Sequence, residues 1–178
     1  MGLRDRREER QAGRRGAGGA SAEVYQMQAK LISIGDDYWI ETTSGRRAFK
    51  VDGKAVRVRD TFKIKDTQGQ VVAEMQERVA RVRDTMKIDR PGRPSATIKK
   101  AMITPLRDRY VLEADDVGEI SIQGNLVDHE YTFESNGAKI AEVSKRWVRV
   151  RDTFGVSIEP GADVVLILAA TAAIDSMT

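Results

Sequence analysis

The sequence predicts a mainly β fold, a closed antiparallel barrel of about twelve strands enclosing a hydrophobic α-helix at its C-terminal end. Three observations predict it. Turn signals recur every eight to twelve residues or so between Tyr25 and Ile158. The runs between them alternate apolar and polar residues. After Pro160 the character changes to a single apolar run without alternation.

The turn signals are Gly35-Asp36-Asp37, Ser44-Gly45, Asp52-Gly53, Gln68-Gly69, Pro91-Gly92, Asp115-Asp116, Gly124-Asn125 and Asn136-Gly137. Asp-Gly and Asn-Gly suit two-residue hairpin loops because both central positions need positive φ. Strands are expected at 24–33, 37–42, 46–52, 55–64, 70–77, 79–89, 96–103, 108–114, 117–124, 129–135, 138–146 and 148–158.

One phrase recurs within these strands. It reads Arg57-Val58-Arg59-Asp60-Thr61-Phe62-Lys63-Ile64, Arg81-Val82-Arg83-Asp84-Thr85-Met86-Lys87-Ile88 and Arg149-Val150-Arg151-Asp152-Thr153-Phe154-Gly155-Val156. Period-two reading puts Val56, Val58, Phe62 and Ile64 on one face, and Arg57, Arg59, Thr61, Lys63 and Lys65 on the other. Asp60, Asp84 and Asp152 fall on the apolar side, where an unpaired carboxylate is very unfavourable. A bulge or tight bend at Arg-Asp-Thr, with the carboxylate accepting local backbone N–H groups, resolves the conflict. Trp39 and Trp147 are expected to anchor the barrel.

From Val164 to Ile174 only Thr171 is polar, and Asp163 and Asp175 bracket the run. Asp163 suits a helix N-terminus, whereas Asp175 lies at the electrostatically unfavourable end. A helix apolar on every side is buried in protein or in lipid. A membrane span needs about twenty apolar residues, so the run is expected to be the core of the barrel, as a helix over about 161–176.

Composition narrows the functional classes. With no cysteine, a disulfide framework, a thiolate metal site and a cysteine nucleophile are excluded. With one histidine, His129, multi-histidine metal sites are excluded as well. Residues 1–20 carry six Arg against Asp5, Glu8 and Glu9. Removing these from the 30 basic and 27 acidic residues of the chain leaves 24 of each, so the body is neutral and the basic pI belongs to the tail. Residues 1–22 are expected to form a disordered Arg/Gly-rich arm, and 23–178 a single domain. The start lacks a secretory h-region and has Arg6 where a myristoylation signal has Ser or Thr. A cytoplasmic protein, peripheral to the membrane at most, is the expectation.

The ordered series Val58-Arg59-Asp60-Thr61-Phe62-Lys63-Ile64, Asp66, Gly69, Val72, Arg83-Asp84-Thr85 and Ala96-Thr97-Ile98-Lys99-Lys100 carries a resemblance. It continues through Gly124-Asn125, His129-Glu130-Tyr131, Ala141 to Trp147, Asp152-Thr153-Phe154, and Ala162 to Asp175. Over roughly residues 24–177 the chain resembles the LURP-one-related family, within the tubby C-terminal-like and phospholipid-scramblase-like fold group. That resemblance implies a twelve-stranded barrel around a C-terminal helix and no established enzyme activity. Tubby-like relatives bind phosphoinositides and scramblase relatives act at membranes, an analogy at the level of fold alone.

Three functional readings follow. The first is a non-enzymatic binding or scaffold module. Its basic strand faces, Arg57, Arg59, Lys63, Arg81, Arg83, Lys87, Arg149 and Arg151, would bind anionic lipid headgroups at the barrel exterior. The competing structural reading pairs those charges with Glu74, Glu77 and Glu142. The second is nucleic-acid association through the Arg-rich arm, weakened by an aromatic content of 6%. The third is catalysis, for which His129 would be the base. His129 is instead expected to pack on a strand face with Tyr131 and Phe133, and no nucleophile elbow surrounds Ser33, Ser121 or Ser144. No catalytic residue, metal or cofactor is expected.

Overall fold

The computed structural model describes residues 21–29, 37–52, 61–78, 85–101 and 108–178. Residues 1–20 of the expected arm at 1–22 lie outside the described residues, as do Arg57, Arg59, Asp60, Arg81, Arg83 and Asp84 of the repeated phrase.

Alternation builds the wall. The strands are β1 (Glu23–Gln28), β2 (Tyr38–Thr42), β3 (Arg47–Asp52), β4 (Thr61–Asp66), β5 (Val71–Glu77) and β6 (Thr85–Asp89). They continue with β7 (Ala96–Lys100), β8 (Asp108–Ala114), β9 (Gly118–Asn125), β10 (Glu130–Ser135), β11 (Ala138–Ser144) and β12 (Thr153–Ile158). Each pairs antiparallel with its neighbours in sequence, and β1 pairs with β12 from Glu23↔Ile158 to Gln28↔Thr153, closing the barrel. Closure removes the exposed edges that an open sheet would present. Inward positions such as Phe62, Ile64, Met75, Ile88, Ile98, Leu112, Ile122 and Phe133 are buried. Between them stand half-exposed residues such as Lys63 and Lys87, so the expected faces of copies one and two hold over their described part. The expected Asn136-Gly137 hairpin turn has positive φ at both residues.

The last element, α1 (Val164–Met177), fills the barrel. It is about 21 Å long at 1.5 Å per residue. Every residue from Leu166 to Ile174 is buried, so this stretch has no wet side. Thr171, the polar exception, gives its hydroxyl hydrogen to the Ile167 carbonyl within the helix (2.8 Å). No helix among the described residues is long and apolar enough to cross a membrane.

Both helix ends are fastened by charge. At the N-terminus the Asp163 carboxylate caps the Leu166 amide (3.0 Å). It also accepts from the Arg90 guanidinium (2.6 Å), which reaches the Asp116 carboxylate (2.7 Å) and the Pro94 carbonyl (3.0 Å). Arg90 is buried, and its hydrogen bond holds the Asp116 carboxyl below the usual carboxylate range. At the other end His129 Nε2 meets the Asp175 carboxylate at 2.7 Å.

Because neighbouring strands alternate in direction, all even-numbered strands start at one end, the end that holds His129. The opposite end, around Arg90, is joined by short connections such as 115–117 and 136–137.

Arg90→Met removes the buried partner of two carboxylates and leaves them only the more exposed Arg93, at 3.5 Å from Asp116 and 3.4 Å from Asp163. We expect a loss of about 3 kcal/mol in a urea unfolding series at neutral pH, with an unchanged slope. Asp116 titrates lower folded than unfolded, so its contribution is complete above about pH 4 and fades as pH falls through the lowered folded value. The gap between wild type and Arg90→Met should therefore narrow in acid.

Candidate functional site

Of the eight basic residues singled out, four are described, and they do not form a patch on the wall. Lys63 on β4 meets Glu74 at 3.3 Å, and Lys87 on β6 meets Asp89 at 2.7 Å. Acids stand among these bases, Lys63 facing Glu74 and Glu74 facing a second acid, Asp89, in the register. Glu74 pairs Lys63 as the structural reading expects, whereas Lys87 pairs with Asp89, and Glu142 pairs with Lys139 and Arg146.

Arg149 and Arg151 are not on a strand, which corrects the expected strand over 148–158. β11 ends at Ser144, and a single 3₁₀ turn (Lys145–Trp147) follows, capped by the Ser144 hydroxyl accepting from the Arg146 amide (3.2 Å). The chain runs through a loop to Asp152, whose φ of 58° bends it sharply into β12. The bend expected at Arg-Asp-Thr is present here. Its carboxylate, however, is solvent-exposed, and the hydrogen bond across the bend runs from the Thr153 hydroxyl to the Val150 carbonyl (2.6 Å). The Asp152 carbonyl accepts from the Ala29 amide (2.8 Å), which seats the bend against β1. Arg149, Val150 and Arg151 thus project from the barrel end, all exposed.

The reason copy three departs from the repeat is visible at Gly155, where the other copies carry Lys63 and Lys87. A Cβ on Gly155 would meet the Trp147 side chain at 2.9 Å. The indole occupies the space that a lysine stem fills elsewhere, and the Arg146 guanidinium lies 4.7 Å from its ring centroid. Trp39 likewise packs on the outer wall, beneath Arg47 (4.9 Å).

The β9–β10 connection lies beside this loop. Asn125 holds the turn by accepting from the Asp128 amide (3.1 Å), and the His129 amide bonds to the Leu126 carbonyl (3.2 Å). Leu126 tucks inward while Val127 points out. His129 stands in this turn with φ 56°, not on the strand face of Tyr131 and Phe133, which corrects the expectation for it. Its ring stacks on Phe154 with centroids 4.3 Å apart. Glu130 joins the two connections, accepting from the Ser144 hydroxyl (3.0 Å) and the Lys145 amide (2.9 Å).

Val127 and Val150 are 62% and 64% exposed, the large hydrophobics most open to solvent among the described residues, and both sit at the His129 end. The starts of β4, β6 and β12 are at that end too, and each directly follows an Arg-Asp pair in sequence. β6 and β12 stand on opposite sides of the ring, and β4 is two strands from β6. The repeated phrase therefore launches strands around one rim of the barrel rather than along one side.

Surface clefts lie among the described residues at both ends of the barrel. One of about 440 Å³ at the Arg90 end is lined by residues including Val117, Ile140, Pro160 and Leu166. The other, about 380 Å³, lies between β1, β2 and the Arg149 loop, with Gln26, Trp39, Glu41 and Val150 in its walls. The His129–Asp175 pair lines neither. No cluster of three potential metal-ligating side chains occurs among the described residues.

The family description LURP-one-related matches residues 23–175, from the first strand to the end of the central helix. The chain belongs to the LURP-one-related family. A crystal structure of an Arabidopsis thaliana protein is similar in shape, with a TM-score of 0.63 at 16% identity, covering 86% of this chain and 91% of that one. At that identity the likeness shows the fold alone. A search of curated proteins finds no match. The LURP-one-related barrel seen here is thus a closed wall, a filled core and one rim that carries arginines and exposed valines.

Gly155→Ala should push Trp147 off its seat and cost about 1–3 kcal/mol. In a two-dimensional amide spectrum, the indole N–H signal of Trp147 should move while that of Trp39 stays in place.

Proposed function

We propose that this protein is a non-catalytic binding module that docks on anionic phospholipid surfaces with the His129 end of its barrel. One observation carries the reading: Val150 is held out in solvent between Arg149 and Arg151, with Val127 exposed in the adjacent turn. Aliphatic tips flanked by arginine suit the boundary between lipid headgroups and acyl chains, where apolar burial and attraction to anionic lipid act together. The sequence adds Arg57, Arg59, Arg81 and Arg83 just before strands that start at this end. The docking surface is thus the rim rather than the side wall, whose lysines face acids.

The chemistry of the interior supports a non-catalytic reading. His129 and Asp175 resemble the base and orienting acid of a hydrolase, yet the Ser144 hydroxyl gives its hydrogen to Glu130 and the Ser176 hydroxyl bonds the Ala173 carbonyl. The pair joins the β9–β10 turn to the last turn of the helix, with the His129 ring stacked on Phe154.

Co-sedimentation with vesicles tests the proposal. Wild-type protein should pellet with phosphatidylcholine–phosphatidylserine vesicles at low salt and not with phosphatidylcholine alone. Each basic residue near the surface is worth about 1 kcal/mol, so Arg149→Gln with Arg151→Gln should weaken binding roughly thirtyfold. Val150→Asp should weaken it further at unchanged thermal stability. Equal recovery with both vesicle types, or binding indifferent to these substitutions, would contradict the reading.

A further inference from the structure

We infer that this protein associates with itself head to tail, the 149–151 loop of one copy seated in the cleft at the Arg90 end of the next. This contact shares its loop with the docking reading but stands without lipid. Two complementary features at opposite ends of one barrel carry it.

The receiving end is the cleft of about 440 Å³ beside the 115–117 connection and the 159–163 segment. Val117, Ile140, Pro160 and Ala162 line it, and it reaches down to Leu166 and Ile167 of the buried helix. Carboxylates stand around this apolar hollow. Glu159 lines it half-buried, while Asp115 and Glu119 are exposed and lie next in the chain to residues of its wall or two away. None of these three side chains has an ion pair or hydrogen bond among the described residues, whereas Asp116 and Asp163 are held by Arg90. Unpaired carboxylates around an apolar hollow suit a partner that brings an aliphatic tip between cationic groups.

The entering end has that form. Val150 is 64% exposed, between Arg149 and Arg151. Lys145 and Arg149 have no ion pair among the described residues. Arg151 has only Asp152, 3.9 Å away, and both side chains are almost fully in solvent. With Val150 in the hollow, the guanidinium groups on either side of it meet the carboxylates around the edge. Apolar burial then supplies affinity, and the opposed charges select and orient the partner.

A second copy is the partner because one chain carries both halves of the match. Since the halves lie at opposite ends, the contact joins different patches on the two copies and repeats along the barrel axis as an open chain. One loop in one cleft is small beside a standard interface of about 1,600 Å², so the association is weak and sensitive to salt.

Sedimentation equilibrium of the full chain and its variants tests the inference. At low salt the weight-average mass of the wild type should rise with concentration between about 10 µM and 1 mM, and the rise should shrink at about 0.5 M salt. A loop variant, Arg149→Glu with Arg151→Glu, should associate about tenfold more weakly, and so should a cleft variant, Glu119→Lys with Glu159→Lys. Mixed in equal amounts, the two should associate again, because each supplies the half that the other lacks. Adding Val150→Asp to the cleft variant should remove that rescue, which separates seating of the loop from simple attraction between oppositely charged barrels. None of the four reversed side chains makes a hydrogen bond among the described residues, so both variants should keep the wild-type urea midpoint. Glu119→Gln with Glu159→Gln preserves shape and should weaken association in the same direction by a smaller factor. A wild type that stays monomeric throughout, association that survives either variant, or a rescue that is absent or indifferent to Val150→Asp would overturn head-to-tail assembly.

Discussion

Everything in this structure depends on hiding a helix that has no wet side between Leu166 and Ile174. Each fully buried aliphatic side chain on it contributes about 1.5–3 kcal/mol relative to exposure. That gain requires a wall on every side, and a β-sheet supplies one only by closing on itself. The alternation of the strands, the pairing of β1 with β12 and the alanine-rich surface of α1 all serve that requirement. Burial by itself leaves the helix free to slide or turn along the barrel axis. The two carboxylate fastenings, Asp163 with Arg90 and Asp175 with His129, fix its position at both ends.

These fastenings differ in kind. At the Arg90 end the capping carboxylate lies at the favourable pole of the helix, and a buried guanidinium binds it together with Asp116. At the His129 end the carboxylate is at the unfavourable pole and relies on an imidazole held in a turn at positive φ. The tight connections cluster at the first end and the exposed valines at the second. The Arg90 end is thus clamped by a buried guanidinium, and the exposed valines stand at the other.

The fold was legible in the sequence because its signals are local. Period-two alternation, turn dipeptides such as Asn136-Gly137, and an apolar run too short for a bilayer each act over a few residues. The site was less legible, since its partners lie far apart in the chain. Arg90 and Asp163 are 73 residues apart, His129 and Asp175 are 46 apart, and no local pattern selects either pair. The expected strand over 148–158 failed for a related reason. Val148 and Val150 alternate correctly with arginine, yet Trp147 claims the wall above Gly155 and Asp152 bends the chain, so tertiary packing overrides the pattern. Only the glycine standing where two lysines stand in the other copies hinted at it.

Native-state amide hydrogen exchange tests the central claim most directly. If the buried helix is what the barrel closes around, the amides of Leu168 to Ile174 should exchange only through global unfolding, with protection equal to the full unfolding free energy. They should share that limit with the inward-facing strand residues that surround them. Exchange of these helix amides through a smaller opening, while β5, β6 and β12 stay protected, would show that the wall stands without its core and would contradict the account.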